Sequence, residues 1–128
     1  MMCVKSKVLP SSIEGLGLFA DEFIPKGTVV WRFTLGFDEK FTAEQVVAFP
    51  ELIRDHLTRY AYLSKKTNLY ILAVDNGKYA NHSKTPNTNS SYSDDEEEVV
   101  TRAIVDIQKG EELTDDYDLF EENSSAML

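Results

Sequence analysis

A mostly β domain built of small sheets, with one helical insertion, is the fold class this chain predicts. Three observations carry that reading. Short β-branched or aromatic runs recur along the chain, turn signals separate them, and a helical period shows only near the middle. The length of 128 residues suits one domain with a single core. An apolar fraction of 42% and a charged fraction of 27% are those of a globular protein rather than a disordered one.

Taken in order, Lys5 to Leu9 reads as an opening strand, stopped by Pro10-Ser11-Ser12. Gly15 and Gly17 bracket a tight turn, and Leu18-Phe19-Ala20 starts the next apolar segment. Ile24-Pro25-Lys26-Gly27 is a turn, because proline presets φ and glycine tolerates positive φ. Thr28 to Phe33 is β-branched and aromatic, hence a strand. At Thr42 the period changes. Thr42 with Gln45 has the spacing of a capping box ahead of a short helix over Ala43 to Ala48. Pro50 can start a second helix, in which Leu52, Ile53, His56, Leu57 and Tyr60 share one face. Tyr70 to Val74 reads as a strand, Asn76-Gly77 as a turn, and Tyr79 to Asn89 as polar and turn-rich. Val99 to Val105 is a further strand and Gln108 to Glu111 a further turn. The expected organisation is one domain over residues 1–120, with a helical insertion at about 42–62 and a short flexible tail at 121–128.

Charge and cysteine usage narrow the function classes. A formal net charge of −9 repels phosphate backbones and favours basic partners, so direct nucleic-acid binding is not expected. The same excess of acid also serves plain solubility, and part of it is the local run Asp94 to Glu98. The single cysteine, Cys3, can form neither an internal disulfide nor a cysteine zinc cluster. The first residues lack the apolar run of a signal peptide, and no stretch approaches the ~20 apolar residues of a membrane span. A soluble, cytoplasmic protein without membrane association is the expectation.

Three segments carry chemistry. Alone, Gly15-Leu16-Gly17 is a turn, and it lacks the third glycine of a dinucleotide fingerprint. Asn81-His82, followed by Ser83-Lys84-Thr85-Pro86-Asn87, is by default a set of local hydrogen-bonding caps. Tyr117, in Gly110-Glu111-Glu112-Leu113-Thr114-Asp115-Asp116-Tyr117, would ordinarily be a half-buried packing residue at a strand end. Glu111 and Glu112 read as turn and surface groups rather than a catalytic pair. His82 lacks neighbouring thiols, so no metal site is expected.

Together and in this order, the three segments resemble the signature motifs of SET-domain protein-lysine methyltransferases, from about Val8 to Phe120. The compactness and the missing cysteine-rich flanks resemble the stand-alone bacterial or viral type. The resemblance implies a β-clip of short curved sheets whose C-terminal segment makes a pseudoknot, setting Tyr117 beside Asn81-His82. It implies S-adenosylmethionine as cofactor, bound by backbone at Leu16, Gly17 and Leu18 and by Asn81, His82 and Tyr117. Phe120 is expected over the adenine, and Asn87 is expected to stabilise its loop. Tyr117 is implied as the catalytic residue, orienting a deprotonated lysine amine in a narrow channel. Tyr62 and Asp115 are expected at that channel, although Tyr60 and Tyr62 also suit a plain core role. Asp115 departs from the family, which often has Phe or Tyr there, and so leaves the number of methyls open. A basic, lysine-containing protein or peptide is the implied partner. A homodimer is a further expectation, as is a nuclear or nucleoid location if the substrate is a chromatin protein. The rival class is a SET-fold module that binds protein or cofactor without catalysis.

Overall fold

The structure, a computed structural model, describes residues 1–122. Eleven short strands and two helices follow one another as β1 (Ser6–Pro10), β2 (Leu16–Ala20), β3 (Val29–Arg32), β4 (Glu39–Phe41), α1 (Ala43–Ala48), α2 (Glu51–Tyr60), β5 (Tyr62–Ser64), β6 (Tyr70–Leu72), β7 (Asn81–His82), β8 (Thr88–Ser91), β9 (Val100–Ala103), β10 (Glu112–Asp115) and β11 (Glu121–Glu122). The predicted class, mostly β with a small helical insertion, is the observed one. No helix among the described residues is long and apolar enough to cross a membrane.

The strands form three sheets, ordered β1-β2-β10-β7, β11-β5-β6-β4 and β3-β9-β8. In the first, β10 runs antiparallel to β2, with Leu113 opposite Leu18, and parallel to β7, with Thr114 opposite Asn81 and Asp115 opposite His82. One four-residue strand therefore joins the glycine segment to the Asn-His segment. Side chains reinforce it. The Asn87 amide donates to the Glu112 carbonyl (2.8 Å) and accepts from the Thr114 N–H (2.9 Å), taking the place of a neighbouring strand. The Thr88 hydroxyl donates to the Thr114 carbonyl at 2.7 Å. Asn87→Ala would strand both partly buried backbone groups, and we expect a loss of ~2 kcal/mol, read as a lower urea midpoint at unchanged slope.

Two turns of like sequence, Ile24 to Gly27 and Ile107 to Gly110, clamp one another. Ile24 and Ile107 exchange both backbone hydrogen bonds at 2.8 Å, and both side chains are wholly buried. They join Leu18, Val30, Ala103 and Leu113 in one core. Trp31, Phe33, Ile71, Val99 and Phe120 form a second. The helical insertion builds a third, in which Val46 and Leu57 cover Leu63 and Tyr70.

The insertion follows its sequence signals only in part. Thr42 and Gln45 make the reciprocal capping box, and α2 begins directly after Pro50. The expected apolar face of α2 buries Leu57 alone, and Leu52 is 83% exposed. A ten-residue helix lying on a three-residue strand has room to cover few positions, so local spacing overstates its burial. The tail expected from 121 begins as β11, with Glu121 opposite Ser64 and Glu122 opposite Leu63. Its remaining expected residues, 123–128, lie outside the described residues.

Candidate active site

Two hollows meet at the C-terminal end of β10. The outer one is a cleft of about 280 Å³, walled by Leu16, Arg59, Tyr79, Asn81 and His82, with Glu14 at its edge. The inner one is a cavity of about 90 Å³ with an aromatic wall of Trp31, Tyr62 and Phe120 and a polar wall of Thr88, Thr101 and Asp115. Tyr117, Tyr60, Lys78 and Ala80 line both. A ligand in the cleft and one in the cavity would thus approach each other across Tyr117.

Tyr117 is fixed from three sides. Its backbone N–H donates to His82 Nδ1 at 3.0 Å, its hydroxyl donates to the Ala80 carbonyl, and its ring packs edge-on against Phe120. Since Nδ1 accepts that bond, the neutral His82 ring carries its proton on Nε2. Asp116 also lies 3.7 Å from Nδ1, farther than the Tyr117 nitrogen that donates to it. Burial, followed by the negative charges of Glu121, Asp115 and Glu14, raises the Tyr117 hydroxyl well above the ordinary phenol value. It therefore stays a neutral O–H rather than a phenolate.

Asn81 ties the glycine segment to β10. Its Nδ2 lies 3.2 Å from the Leu16 carbonyl, 3.3 Å from that of Glu14 and 2.9 Å from the Glu112 carboxylate. The Ser11 hydroxyl reaches the same carboxylate at 2.8 Å. Glu112, read from sequence as a surface group, is thus a half-buried acceptor on which the cleft wall rests. Gly17 has its reason here. A Cβ at that position would sit 2.4 Å from Glu112 Oε2 and 3.0 Å from Ser11 Cβ, so glycine lets the carboxylate pass under β2. The signal that could have found Glu112 was its pairing opposite Phe19, two positions from Gly17, which no local pattern reveals.

The expected cofactor residues divide accordingly. Leu16, Asn81, His82 and Tyr117 line the cleft. Gly17 lines neither hollow, Leu18 is buried beneath it and faces the inner cavity, and Phe120 departs most. Expected over the adenine, Phe120 is 6% exposed, sits in the second core and walls the inner cavity, where its ring meets Tyr62 edge-on. The strand that follows it draws it inward, together with the Tyr92 hydroxyl, which donates to its carbonyl. Sequence reasoning missed Arg59 as a cleft residue and Lys78 as one with a charge to offer. Both make cation–ring contacts with Tyr60, at 5.5 and 5.8 Å, and neither enters an ion pair within hydrogen-bonding range among the described residues.

Tyr62 and Asp115 both line the inner cavity. The Tyr62 hydroxyl donates to Glu98 (3.1 Å), a carboxylate only 2% exposed that also accepts from Thr67 (2.9 Å). Burial and the adjacent Glu98 charge raise the Tyr62 hydroxyl. Asp115 is 4% exposed, and burial lifts its carboxyl to about 6. A carboxyl raised on folding contributes stability while protonated and loses it on ionisation. The Asp115 contribution therefore falls as pH rises from the unfolded value near 4 through about 6, by ~2–3 kcal/mol. Urea midpoints at pH 4.5 and 7.5 should show Asp115→Asn gaining on the wild type at the higher pH. At the rim of the outer cleft, His82, Asp116 and Asp118 lie close enough to hold a cation, but the Lys84 ammonium already stands against both carboxylates.

An outer cleft and an inner cavity thus meet at one tyrosine, and comparison with known proteins gives the family. The family model for the SET domain matches residues 15–118. The chain belongs to the SET-domain family, a protein methyltransferase family. A Plasmodium falciparum protein provisionally assigned as a histone methyltransferase superposes with a TM-score of 0.63 at 25% identity, over 89% of this chain and 93% of that one. The apo Polycomb Repressive Complex 2 of Chaetomium thermophilum, in an autoinhibited state, gives 0.73 at 26% identity over 96% of this chain. The same complex bound to S-adenosylmethionine gives 0.71 at 24% identity over 97%, a likeness of fold alone. The chain spans 16% of either Polycomb chain. No curated protein sequence matches it.

Proposed function

We propose that the protein is an S-adenosylmethionine-dependent protein-lysine N-methyltransferase, with the cofactor in the outer cleft and the lysine side chain in the inner cavity. The observation that supports this most is the placing of Tyr117 in the wall common to both hollows. The parallel pairing of β10 with β7 is consistent with the C-terminal pseudoknot of the family.

The residues of the cleft fit an amino-acid-bearing cofactor. Arg59 and Lys78 bring positive charge for a carboxylate, Glu14 brings negative charge for an ammonium, and Leu16 provides backbone groups for close approach. S-adenosylmethionine, when bound, supplies an electrophilic methyl group on a sulfonium. The protein's task is to present the amine in line with that methyl. A free lysine, with a pKa of about 10.4, is almost wholly protonated at neutral pH, so the cavity must favour the neutral form. The Tyr117 hydroxyl, its proton committed to Ala80, keeps an oxygen lone pair for orienting the amine and for weak C–H···O contacts of ~0.5–1 kcal/mol each. Alignment and exclusion of water then account for most of the acceleration.

The net charge of −9 favours a basic protein as substrate. Calorimetry with S-adenosylmethionine, followed by transfer of labelled methyl to histones and to bacterial lysate with mass spectrometry of the products, tests this reading. Binding and methyl-lysine are expected. The absence of binding defeats the enzyme reading, and binding without transfer to any substrate favours a non-catalytic module.

A further inference from the structure

Among the described residues, Asp115 is the single carboxylate lining the inner cavity. Its position is built rather than incidental. The Ser90 hydroxyl donates to Oδ2, the Asp116 N–H donates to Oδ1 at 2.8 Å, and Ser90 Oγ is itself 2.6 Å from Thr101 Oγ1. These bonds, with one from the Ser90 backbone, fix the carboxylate plane and leave about one of its roughly four lone-pair positions for another donor. Yet Asp115 enters none of the ion pairs among the described residues. A carboxylate this buried without a cation is costly, and the cavity beside it is where a cation would offset that cost.

We propose that Asp115 is the proton acceptor of the reaction, receiving the substrate lysine as its ammonium in the inner cavity and taking one proton from it. The proposal rests on the methyltransferase reading. In this step one N–H bond of the ammonium breaks and an O–H bond forms on Asp115, leaving a neutral amine and a neutral carboxylic acid. The amine lone pair then forms the N–C bond as the methyl–sulfur bond of S-adenosylmethionine breaks, its electron pair remaining on sulfur. The methylated product carries the positive charge, and Asp115 returns its proton to solvent.

Two features make the transfer feasible. A carboxyl lifted to about 6 stands closer to lysine than an ordinary one does, and a poorly solvated cavity favours the neutral pair over the ion pair. The groups around Asp115 do not compete for the role. Asp116 adds negative charge, which raises the carboxyl further. On β7, His82 pairs with Asp115 through the backbone. Burial raises the Tyr62 and Tyr117 hydroxyls, and Lys78, the one cation lining the cavity among the described residues, lies against the rings of Tyr60 and Tyr79.

Two measurements on the full chain test the assignment. In protein labelled with carboxyl-¹³C aspartate, n-butylammonium serves as a probe for the lysine side chain. Its binding should strengthen about tenfold from pH 5 to 7, as a carboxyl near 6 ionises, and should lose that dependence in Asp115→Asn. Ser90→Ala, which removes a bond to the ionised form, should move the midpoint to higher pH. The second measurement compares methyl transfer to a histone-tail peptide bearing lysine with transfer to one bearing an aminooxy side chain, which is neutral at pH 7. Asp115→Asn should slow transfer to lysine about a hundredfold or more and to the aminooxy peptide only a few-fold. Asp115→Glu and Ser90→Ala, which keep a carboxylate, serve if Asp115→Asn does not fold. Equal losses on both peptides, or butylammonium binding independent of pH, overturn the role of Asp115 alone. A wild type that neither binds S-adenosylmethionine nor transfers methyl overturns the enzyme reading and this role with it.

Discussion

Tyr117→Phe is expected to lower methyl transfer about a hundredfold or more while leaving S-adenosylmethionine affinity within a few-fold of the wild type. A hundredfold corresponds to ~2.7 kcal/mol in the barrier. That exceeds one weak C–H···O contact, so the figure requires that the hydroxyl also orient the amine. The ring would remain where it is, because Phe120 and the His82–backbone bond hold it without the oxygen. The lost bond to Ala80 should cost about 1 kcal/mol of stability. Single-turnover kinetics beside calorimetry separates the two effects. Unchanged turnover in the variant would remove Tyr117 from its role, and a collapse of cofactor affinity would make it a wall of the cleft instead.

The largest expected loss of stability is that of Ile71→Ala. Ile71 is wholly buried on β6, with β5 and β4 on either side, and packs with Trp31, Val99 and Phe120. Removing its outer carbons takes away transfer energy and leaves a void that two short strands cannot close, for a loss of ~3–4 kcal/mol. For a chain of this size that is a fall of roughly 2 M in the urea midpoint, with the slope preserved. Trp31 and Phe120 wall the inner cavity, so methyl transfer should fall as well, while binding in the outer cleft is spared. A midpoint shift under 0.5 M, on the order of a surface substitution, would show that the second core repacks freely.

What the sequence disclosed and what it withheld divide along one physical line. The Thr42–Gln45 capping box, the strand around Val30 and the turns at Gly27 and Gly110 were legible because each is decided within a few residues. The three motifs were legible through family resemblance, and the domain match covers them. Strand β8, Thr88 to Ser91, was not. Its residues are polar because their hydroxyls serve distant groups, Thr88 the Thr114 carbonyl and Ser90 the Asp115 carboxylate, and such a strand has no apolar alternation to read. Glu112 was hidden for the same reason, since its partners Ser11 and Asn81 lie far off in sequence. Phe120 was expected over the adenine because it follows the Tyr117 motif, and its place in the second core is set by the β11 pairing that comes after it. Asp115 was expected at the channel, and it is the fold that turns it into the inner cavity.

The double pairing of β10 also has a consequence for the order in which the molecule forms. Glu112 meets Phe19 and Thr114 meets Asn81, so the strand that unites both hollows is drawn from the far end of the chain. Contacts of such long range close slowly, and they set the folding rate of small β proteins. Until residues 112–115 have paired, the edge of β2 stays open and neither hollow is complete. The two hollows therefore come together only when β10 has paired with both β2 and β7.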